Sequence, residues 1–567
     1  MSISNPNLPK SILALKGYTH QDFLHDLLAG IAVGLVALPL AMAFGIASGV
    51  TPQAGLYTAV VAGFLISALG GSRTQIGGPT GAFVVIIAGI VLRFGMSGLA
   101  MVTLMAGIIL VAMGLTGLGA AVRFIPRMVV IGFTNGIAIL IASTQIKDFF
   151  GLRVGPVPSE FLPRIRLLGA HFATLNWAAF GLGLGALVIL VVLPRFTRRV
   201  PASIVALLVC TGASLVFHLP VETIGSKFGG IPRGFPPFHF PDLHAEHILP
   251  LIPSAFTVAV LAALESMLSA VVADGMTGDR HNSNVELVAQ GIANIVSPMF
   301  GGIPATGAIA RTATNIRAGG RSPVAGMVHA VTLLFILLVA APLASYIPLT
   351  TLAAVLFVVA YNMGEWREIG SILELDAAAI SVWLVTFGLT VFADLTVAVG
   401  IGLGLAALLY IYRVADTTTV SPVTDEYIRD GLPHVLQGRI VPPYVTLLRI
   451  HGPFLWGTTE KLVEATVNIE EFEPVVILRL RNMTAIDATG IHAIESFATR
   501  LRESGRTLVL CGAMVQPSKL LSGNHFQDCI GRENIMPNIQ AALNRAKELH
   551  AADPDAVDPV AAPEDSL

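Results

Sequence analysis

The sequence predicts an α-helical membrane protein of about fourteen transmembrane spans, followed by a small α/β domain. Hydrophobic residues make up 54% of the 567 residues, charged residues only 12%, and the mean hydropathy is +0.75. A soluble domain usually carries about 25% charged residues. Apolar runs of spanning length continue to about residue 413, and a motif rich in Gly and Pro occurs twice. Together these observations exclude an ordinary soluble enzyme.

Composition divides the chain into five segments. Residues 1–24 are predicted to be a cytoplasmic N-terminal segment, because they lack the charged start, short apolar middle and cleavage site of a signal peptide. Residues 25–413 form the membrane domain and 414–438 a linker. Residues 439–548 are predicted to form a soluble domain, and 549–567 a disordered tail rich in Ala, Pro and Asp.

The spans are placed by length and hydropathy. A spanning helix needs roughly 20 mostly apolar residues, and fewer where a cavity interrupts it. The predicted spans are 26–46, 53–70, 81–93, 98–118, 126–145, 174–194, 200–218, 251–272, 284–299, 306–315, 323–345, 348–362, 377–393 and 395–413. With an even number of spans both termini share one side. Thirteen Lys and Arg residues fall in loops on that side and seven on the other, which favours cytoplasmic termini.

The repeated motif relates the third span to the tenth. The sequence GGPTGA at 77–82 recurs as GGIPATGA at 301–308, and Pro79 and Pro304 lie 225 positions apart. A shift of seven spans is odd, so equivalent spans cross the membrane in opposite directions. This arrangement is the inverted repeat of secondary transporters. The alternative is a chance match, since Gly and Pro are frequent in membrane helices.

Each copy of the motif is predicted to be an extended stretch followed by a helix that starts inside the membrane. Such a start exposes unpaired N–H groups and the positive end of the helix dipole. Two starts that face each other at the midplane form a site for a small anion. The candidate binding residues are Thr80, Gly81, Ala82, Phe83, Thr306, Gly307, Ala308 and Ile309. The alternative is a packing kink without a ligand.

Two charged residues lie within predicted spans, where charge is costly and usually functional. Arg311 follows Gly307 by one helical turn and is predicted to supply positive charge to the anion, with an ion pair to Glu265 as the alternative. Glu265 lies in the middle of span 8 and is predicted to couple proton movement to the anion. Ser269, one turn further on, is predicted to orient Glu265 or to help a cation. A static structural pair is the alternative role for Glu265.

Several function classes are disfavoured. A net charge of -2 gives no basic excess for nucleic acid, and three widely spaced cysteines do not form a disulfide scaffold or a CxxC metal site. The chain has no phosphate-binding P-loop, nucleophile elbow or catalytic metal cluster, so neither enzymatic activity nor a metal is expected. The loop 274–286 is predicted to be a cytoplasmic turn, and Asp274 and Asp394 are predicted to be interfacial caps.

The soluble domain is predicted to be a small sheet covered by helices. Asp487 is a candidate N-cap for its second helix, and the loop around it is a candidate contact surface. The predicted strands are 442–451, 474–481 and 506–512, and the predicted helices are 457–469 and 489–504.

These motifs resemble the SulP anion transporters, the solute carrier 26 family. The resemblance covers about residues 20 to 548, and the soluble part resembles the STAS domain of that family. The motifs that carry it are ALPLAMAFG at 37–45, GLY at 55–57, GPTGA at 78–82, ALES at 263–266 and AIART at 308–312.

The resemblance implies a seven-plus-seven inverted repeat, with spans 1–4 and 8–11 as a core and spans 5–7 and 12–14 as a gate. It implies that the core carries an anion held between spans 3 and 10 by an elevator movement, usually in a dimer. It also implies that Glu265 couples a proton or a sodium ion. Glu at this position resembles the proton-coupled bacterial branch, and the run 272–278 is similar to the C4-dicarboxylate carriers. Ala488 replaces the phosphorylated Ser of anti-sigma antagonists, which leaves Thr489 as the nearby hydroxyl.

The predicted function is secondary transport in the cytoplasmic membrane. The chain is expected to take up a small anion, a dicarboxylate such as fumarate or succinate, with a co-transported proton and no cofactor. Sulfate with a proton, bicarbonate with sodium, a passive anion channel and a membrane sensor with a STAS output are the alternatives. The expected partners are the anion, the lipid bilayer, a second copy in a homodimer and a cytoplasmic protein at the STAS domain, but not nucleic acid.

Overall fold

The structure is a computed structural model of the chain. It describes residues 8–119, 126–155, 157–197, 201–231, 234–240, 248–393, 395–423 and 441–552. The chain divides into two compact units, Met1–Ala406 and Ala407–Leu567. The first unit is built from helices, and the second contains a five-stranded sheet.

The first half of the helical unit contains nine described helices, a short strand and two 3-10 turns, at Gly81–Phe83 and Phe172–Thr174. The elements are α1 (Lys10–Ala14), α2 (His20–Ala47), α3 (Pro52–Leu69), β1 (Gly77–Gly78), α4 (Val84–Leu115), α5 (Arg127–Phe150), α6 (Phe161–Ala170), α7 (Trp177–Phe196), α8 (Ala202–Val216) and α9 (Ile224–Phe228).

The second half repeats this succession, again with one short strand among the helices. The elements are α10 (Ile248–Thr277), α11 (Ser283–Val296), β2 (Thr306–Gly307), α12 (Ile309–Arg317), α13 (Pro323–Ala344), α14 (Leu349–Met363), α15 (Glu368–Leu373), α16 (Ala377–Phe392) and α17 (Leu395–Thr417).

The helix count agrees with the predicted number of spans. Within the described residues nine helices are long and apolar enough to cross a membrane, and α8 and α16 are shorter apolar helices. The interior of α4 is broken at Gly95, whose φ of 70° is not helical, so α4 supplies two spans. With α11 and the short, more polar α12 the described part of the chain contains fourteen helical segments that correspond to the predicted spans, seven in each half.

The two halves pack by the same pattern. Helix α4 packs against α10 and α11, and α13 packs against α2 and α3. An exchange by seven segments turns the α4–α11 contact into the α13–α3 contact, and the α2–α13 contact into the α10–α4 contact. With α12 these helices form the core predicted from the resemblance. Helices α5, α7, α8, α14 and α16 pack against one another and form the predicted gate.

Small residues let the core helices approach closely. A Cβ at Gly107 in α4 would lie 2.6 Å from the carbonyl oxygen of Gly291 in α11, and a Cβ at Gly291 would lie 2.6 Å from that of Gly107. In membrane proteins such close backbone contact is a main source of helix association, because lipid is as apolar as a leucine side chain. The α4–α11 crossing therefore depends on glycine from both helices.

The second unit is a mixed sheet with helices. Its strand order is β3-β4-β5-β6-β7, with β3 antiparallel to β4 and the other neighbours parallel. The strands are β3 (Thr419–Pro422), β4 (Val445–Phe454), β5 (Val475–Ile486), β6 (Thr507–Cys511) and β7 (Ile535–Met536). The helices are α18 (Glu460–Ala465), α19 (Ala488–Glu503), α20 (Val515–Leu521), α21 (Asn524–Ile530) and α22 (Ile539–Ala551).

Some predicted boundaries need correction. Strand β3 lies inside the predicted linker 414–438 and pairs with β4, so part of that linker belongs to the sheet. Four residues give too little periodicity to reveal an edge strand. Helix α2 begins at His20, before the end of the predicted segment 1–24, because Thr19 and Asp22 form a capping box there. The tail from residue 553 and Asp394 lie outside the described residues.

Candidate anion-binding site

The two copies of the repeated motif meet inside the core. Strands β1 and β2 pair antiparallel, with Gly77 opposite Gly307 and Gly78 opposite Thr306. The 3-10 turn that leads into α4 begins at Gly81, shortly after β1, and α12 begins at Ile309, directly after β2. The pairing therefore brings two interrupted spans together where the repeat predicts a site.

Neighbouring side chains satisfy the extended backbone of the second motif. The N–H of Ile303 donates to Oγ1 of Thr58 over 2.7 Å. The side chain of Asn294 accepts a hydrogen bond from the N–H of Ala305 and donates one to its carbonyl, at 2.9 Å and 2.8 Å. Extended backbone at membrane depth is tolerated only when protein groups or water provide such partners.

The two helices do not begin in the register that the prolines suggest. Pro79 precedes the helical start at Gly81 by two residues, whereas Pro304 precedes the start of α12 at Ile309 by five. The helical starts lie 228 positions apart, and the prolines 225. Gly307 consequently lies in β2 and not in the first turn of a helix.

This register changes the roles of three predicted binding residues. The N–H of Gly307 donates to Oγ of Ser266 at 2.9 Å, and the N–H of Ala308 donates to the carbonyl of Ile76 at 2.8 Å. The hydroxyl of Thr306 donates to a carbonyl of α10 at 2.9 Å. These donors are engaged in this structure, so Thr306, Gly307 and Ala308 hold β2 in place and do not offer the free donors expected of them.

The remaining predicted donors are first-turn N–H groups without an acceptor among the described residues. Those of Gly81–Phe83 are deeply buried, and a Cβ at Gly81 would lie 2.8 Å from Sδ of Met363 and 3.1 Å from Cδ1 of Ile141. Ile309, in contrast, is 40% exposed. The start of α12 is therefore the accessible side of the site, and the start of the third span is closed off by apolar gate residues.

Arg311 connects the two motifs. Its side chain is 2% exposed, and Nη2 donates to the carbonyl of Pro79. A Cβ at Gly78 would lie 2.6 Å from Nη1, which has no hydrogen-bond partner within the described part of the chain. Gly78 also has a φ of 144°, a conformation that other residues rarely adopt. One side of the guanidinium is thus fixed, and Nη1 is buried without a hydrogen-bond partner among the described residues.

Glu265 lies beside this arginine. The residue is partly buried, and its carboxyl is close to the hydroxyl of Thr80 and within electrostatic reach of Arg311. Oγ1 of Thr80 is buried, yet no hydrogen bond of normal geometry joins it to a described residue. Among the described residues no ion pair within 4.0 Å links Glu265 to Arg311, so the alternative of a closed pair is not what the structure contains.

Ser269 has a contact that the sequence did not predict. Its hydroxyl lies 3.0 Å from Oγ1 of Thr312, which also accepts the N–H of Ile76 at 3.0 Å. Ser269 therefore ties α10 to α12 and to the first motif, and its role beside Glu265 stays a prediction. Ser266 is the residue that sequence reasoning missed, and its only signal is its position directly after Glu265 in a motif that was already singled out.

Two other predicted polar residues serve as caps. Asp274 accepts the N–H of His281 at 3.1 Å and contacts its Nδ1 at 2.6 Å, which closes the loop after α10. Within the described residues no group of three His, Cys, Asp or Glu side chains is placed to hold a metal ion. In the second unit Asp487 is the N-cap of α19 and accepts the N–H of Gly490 at 2.9 Å, as predicted.

Comparison with known proteins decides the family. Residues 23–386 match the Sulfate permease family, and residues 439–542 match the STAS domain. This chain belongs to the sulfate permease family. Its members are transporters and not enzymes. The Bacillus subtilis protein named "Putative sulfate transporter YvdB" is 42% identical over 522 residues, which is 92% of this chain and 97% of that protein.

Other relatives of this chain carry different substrate names. The bicarbonate transporter BicA of Synechocystis is 31% identical over 543 residues, covering 92% of this chain and 94% of that protein. The structure of murine solute carrier 26 family member A9, an anion transporter in the inward-facing state, superimposes with a TM-score of 0.85 at 19% identity. It covers 95% of this chain and 94% of that chain. The fold of a helical membrane transporter with a C-terminal STAS domain is thereby established.

Proposed function

We propose that this member of the sulfate permease family takes up a small dianion across the cytoplasmic membrane together with a proton, and that a C4-dicarboxylate such as fumarate or succinate is the preferred substrate. The pairing of β1 with β2 carries the proposal, because it brings the start of α12, Arg311 and Glu265 to one place. Free first-turn N–H groups and a fixed positive charge favour an anion.

The position of Glu265 supports coupling to a proton. An ionised carboxylate beside the site repels an incoming dianion, and a protonated carboxyl does not. Proton and anion therefore favour each other's binding, and the coupling is reciprocal by thermodynamic linkage. Arg311 has a free Nη1 and is not neutralised by a closed ion pair, so its charge remains available to the anion.

Sulfate is the second candidate substrate. It is favoured by the name of the relative that shares 42% identity, whereas the dicarboxylate rests on the similarity of the run 272–278 to C4-dicarboxylate carriers. Bicarbonate with a sodium ion in place of the proton is the third, on the name of BicA. Backbone N–H groups can donate hydrogen bonds to any small oxyanion, so all three substrates are compatible with the site.

The remaining proposals concern the arrangement in the cell. The excess of Lys and Arg in the loops on the side of the termini supports a cytoplasmic location for both ends. The family resemblance supports a homodimer in which the core moves as an elevator. The exposed loop around Asp487 supports contact of the STAS domain with a cytoplasmic protein.

The decisive experiment is a competition panel in proteoliposomes that contain the full-length protein. Labelled succinate uptake is measured with and without a pH gradient, against unlabelled fumarate, sulfate, bicarbonate and chloride. We expect an inward proton gradient to drive accumulation, and fumarate to compete best. Stronger competition by sulfate would transfer the proposal to the second candidate, and uptake that ignores both pH and sodium gradients would indicate a passive channel.

Replacement of Glu265 tests the coupling directly. Glu265→Gln keeps the size of the side chain and cannot release a proton, so anion exchange across the membrane should continue while the pH gradient loses its effect. The exposed Glu222→Gln is the matched control and should behave as the wild type. An unchanged response to the pH gradient in Glu265→Gln would remove this residue from the coupling mechanism.

A further inference from the structure

One face of α3 is lined with small residues and runs from the site to the end of the helix. Ala59, Gly63, Ser67 and Gly70, which directly follows the helix, are spaced by four, four and three positions and so share one side. Gly78 lies between Ala59 and Arg311. A Cβ at Gly78 would lie 3.5 Å from Cα of Ala59 and 2.6 Å from Nη1 of Arg311.

A buried histidine from α13 faces the middle of this stretch. Cε1 of His329 lies 3.8 Å from the position that a Cβ at Gly63 would occupy. The side chain of His329 is 0% exposed, and both of its ring nitrogens are without a hydrogen-bond partner among the described residues. The backbone of Gly326 is close to the ring but makes no hydrogen bond of normal geometry with it.

Two other buried groups on the same face share this property. Nη1 of Arg311 and Oγ of Ser67 also have no partner within the described part of the chain. Buried polar groups in native proteins are bonded to protein or to ordered water, and an unbonded one costs about 1–3 kcal/mol. Ordered water is the usual partner of such groups, and three of them lie along one face of small residues.

A buried carboxylate lies at the far end of the face. Oε2 of Glu286 accepts the N–H of Gly71 at 2.9 Å, and the same oxygen lies 2.9 Å from the position of a Cβ at Gly70. Glu286 is 0% exposed, and its other oxygen accepts from Gln290 at 2.8 Å. From Ala59 to Gly70 the helix rises by about 16 Å. The face thus joins the anion site to the end of α3 that the proposed topology places at the cytoplasm.

The charges around His329 suit a group that passes protons on. Arg311, from α12, is the charged residue whose field reaches the ring. Asp26, from α2, lies two turns nearer the start of α13, where it accepts hydrogen bonds from Ser322. The face of α3 contributes no charge, and Lys10, from α1, is paired with an acidic residue after α10. The positive charge of Arg311 opposes an imidazolium, so a proton does not stay on His329.

We propose that His329 relays protons through water along this face of α3, between Glu265 at the anion site and Glu286. The protonated carboxyl of Glu265 gives its proton, through water, to one ring nitrogen and becomes a carboxylate. The other ring nitrogen then releases its proton, through water past Ser67, towards the Glu286 carboxylate. The imidazole ends neutral in the opposite tautomer. This inference rests on the proposed proton coupling at Glu265.

The test compares two reactions of the full-length protein in proteoliposomes, with labelled succinate and labelled sulfate as probes. Anion exchange at equal pH on both sides needs no net proton release, whereas uptake driven by a pH gradient does. In His329→Gln we expect exchange to be unchanged and proton-driven uptake to fall about a hundredfold, the scale of a lost proton-transfer group. Thr332→Val, one turn further along α13, is the packing control and should leave both reactions unchanged.

The outcomes separate relay, structural role and failure of the coupling itself. Equal loss of exchange and uptake in His329→Gln would show a structural role, and wild-type rates for both would show that protons take another route; either overturns the relay. If His329→Gln does not fold, the wild type is compared in H2O and D2O, where slower uptake with unchanged exchange supports the relay and equal slowing overturns it. If the wild type takes up anion without a proton, the proposed coupling fails in the wild type itself, and the relay fails with it.

Discussion

The two terminal nitrogens of the Arg311 side chain have different environments. One nitrogen holds the first motif through the carbonyl of Pro79, and the other has no partner among the described residues. A hydrogen bond to a charged group contributes about 1.5–3 kcal/mol. The arginine is therefore part of the structure of the candidate site, and we propose that it also supplies positive charge to the anion.

Replacement of this arginine should weaken anion binding. For Arg311→Ala we expect roughly a 10- to 100-fold higher dissociation constant, because about 1.4 kcal/mol corresponds to a factor of ten. Titration of the purified protein with succinate and sulfate measures this change. Arg317→Ala removes an exposed arginine from the last turn of the same helix and is the matched control. Equal affinities for Arg311→Ala and Arg317→Ala would place Arg311 outside the site.

The cysteines of the STAS domain should differ in reactivity. Burial raises the pKa of the Cys511 thiol to about 11, although nearby Arg479 acts in the opposite direction. Since the thiolate is the reactive form, a raised pKa leaves Cys511 neutral and slow to react at pH 8, and its reactivity should rise only as the pH approaches 11. Cys529 is partly exposed. Iodoacetamide at pH 8 should label Cys529 first, as measured by mass spectrometry, and equal rates in the folded protein would contradict this.

At the scale of elements, the β1–β2 pair depends on a glycine. Gly78 has a φ of 144°, and a Cβ there would contact Nη1 of Arg311. Backbone in such a region costs other residues about 1–3 kcal/mol. Gly78→Ala should therefore lower both the melting temperature and the affinity for the anion.

The control for this change is a glycine of α4. A Cβ at Gly89 would contact nothing within 4 Å, so Gly89→Ala should leave anion affinity unchanged and slightly raise stability through a smaller loss of chain entropy. Both variants are compared by thermal unfolding and by succinate titration in the same detergent. If Gly78→Ala retained wild-type affinity, the close approach of β1 to Arg311 would not be needed for binding.

The sequence predicts where the broken spans lie, but not how they are held. Glu265 and Arg311 can be read from the sequence because isolated charges are rare in an apolar segment, and the motif can be read because it occurs twice at a shift of seven spans. The residue at which α12 begins cannot be read from the sequence. It depends on a hydrogen bond from the N–H of Gly307 to Ser266 in another helix. The hydrogen bond of Ser269 cannot be read from the sequence either, because its partner Thr312 lies 43 positions away.

At the scale of the whole transport unit, the repeat is the feature on which the proposed elevator movement rests. The same pattern of helix contacts occurs in both halves of the helical unit. In this structure the gate residues Ile141 and Met363 close over Gly81, and the start of α12 is accessible. In the proposed elevator movement, displacement of the core past the gate would uncover Gly81 and cover the start of α12, and the site itself would keep its structure.

A cross-link between core and gate should therefore stop transport. Arg93 of α4 and Glu160, just before α6, are both exposed and line one cavity of about 100 Å³. In Arg93→Cys with Glu160→Cys, a reducible bifunctional thiol reagent should abolish net succinate uptake, and reduction should restore it.

The control pair joins two helices of the core. Asp22 and Arg321 form an ion pair of 3.0 Å between α2 and the start of α13, both in the core. In Asp22→Cys with Arg321→Cys, the same reagent should leave uptake unchanged, because an elevator moves the core as one body. If the core–gate pair were cross-linked and uptake continued at the rate of the unlinked protein, the anion would cross without displacement of the core, and a fixed pathway through the site would replace the elevator.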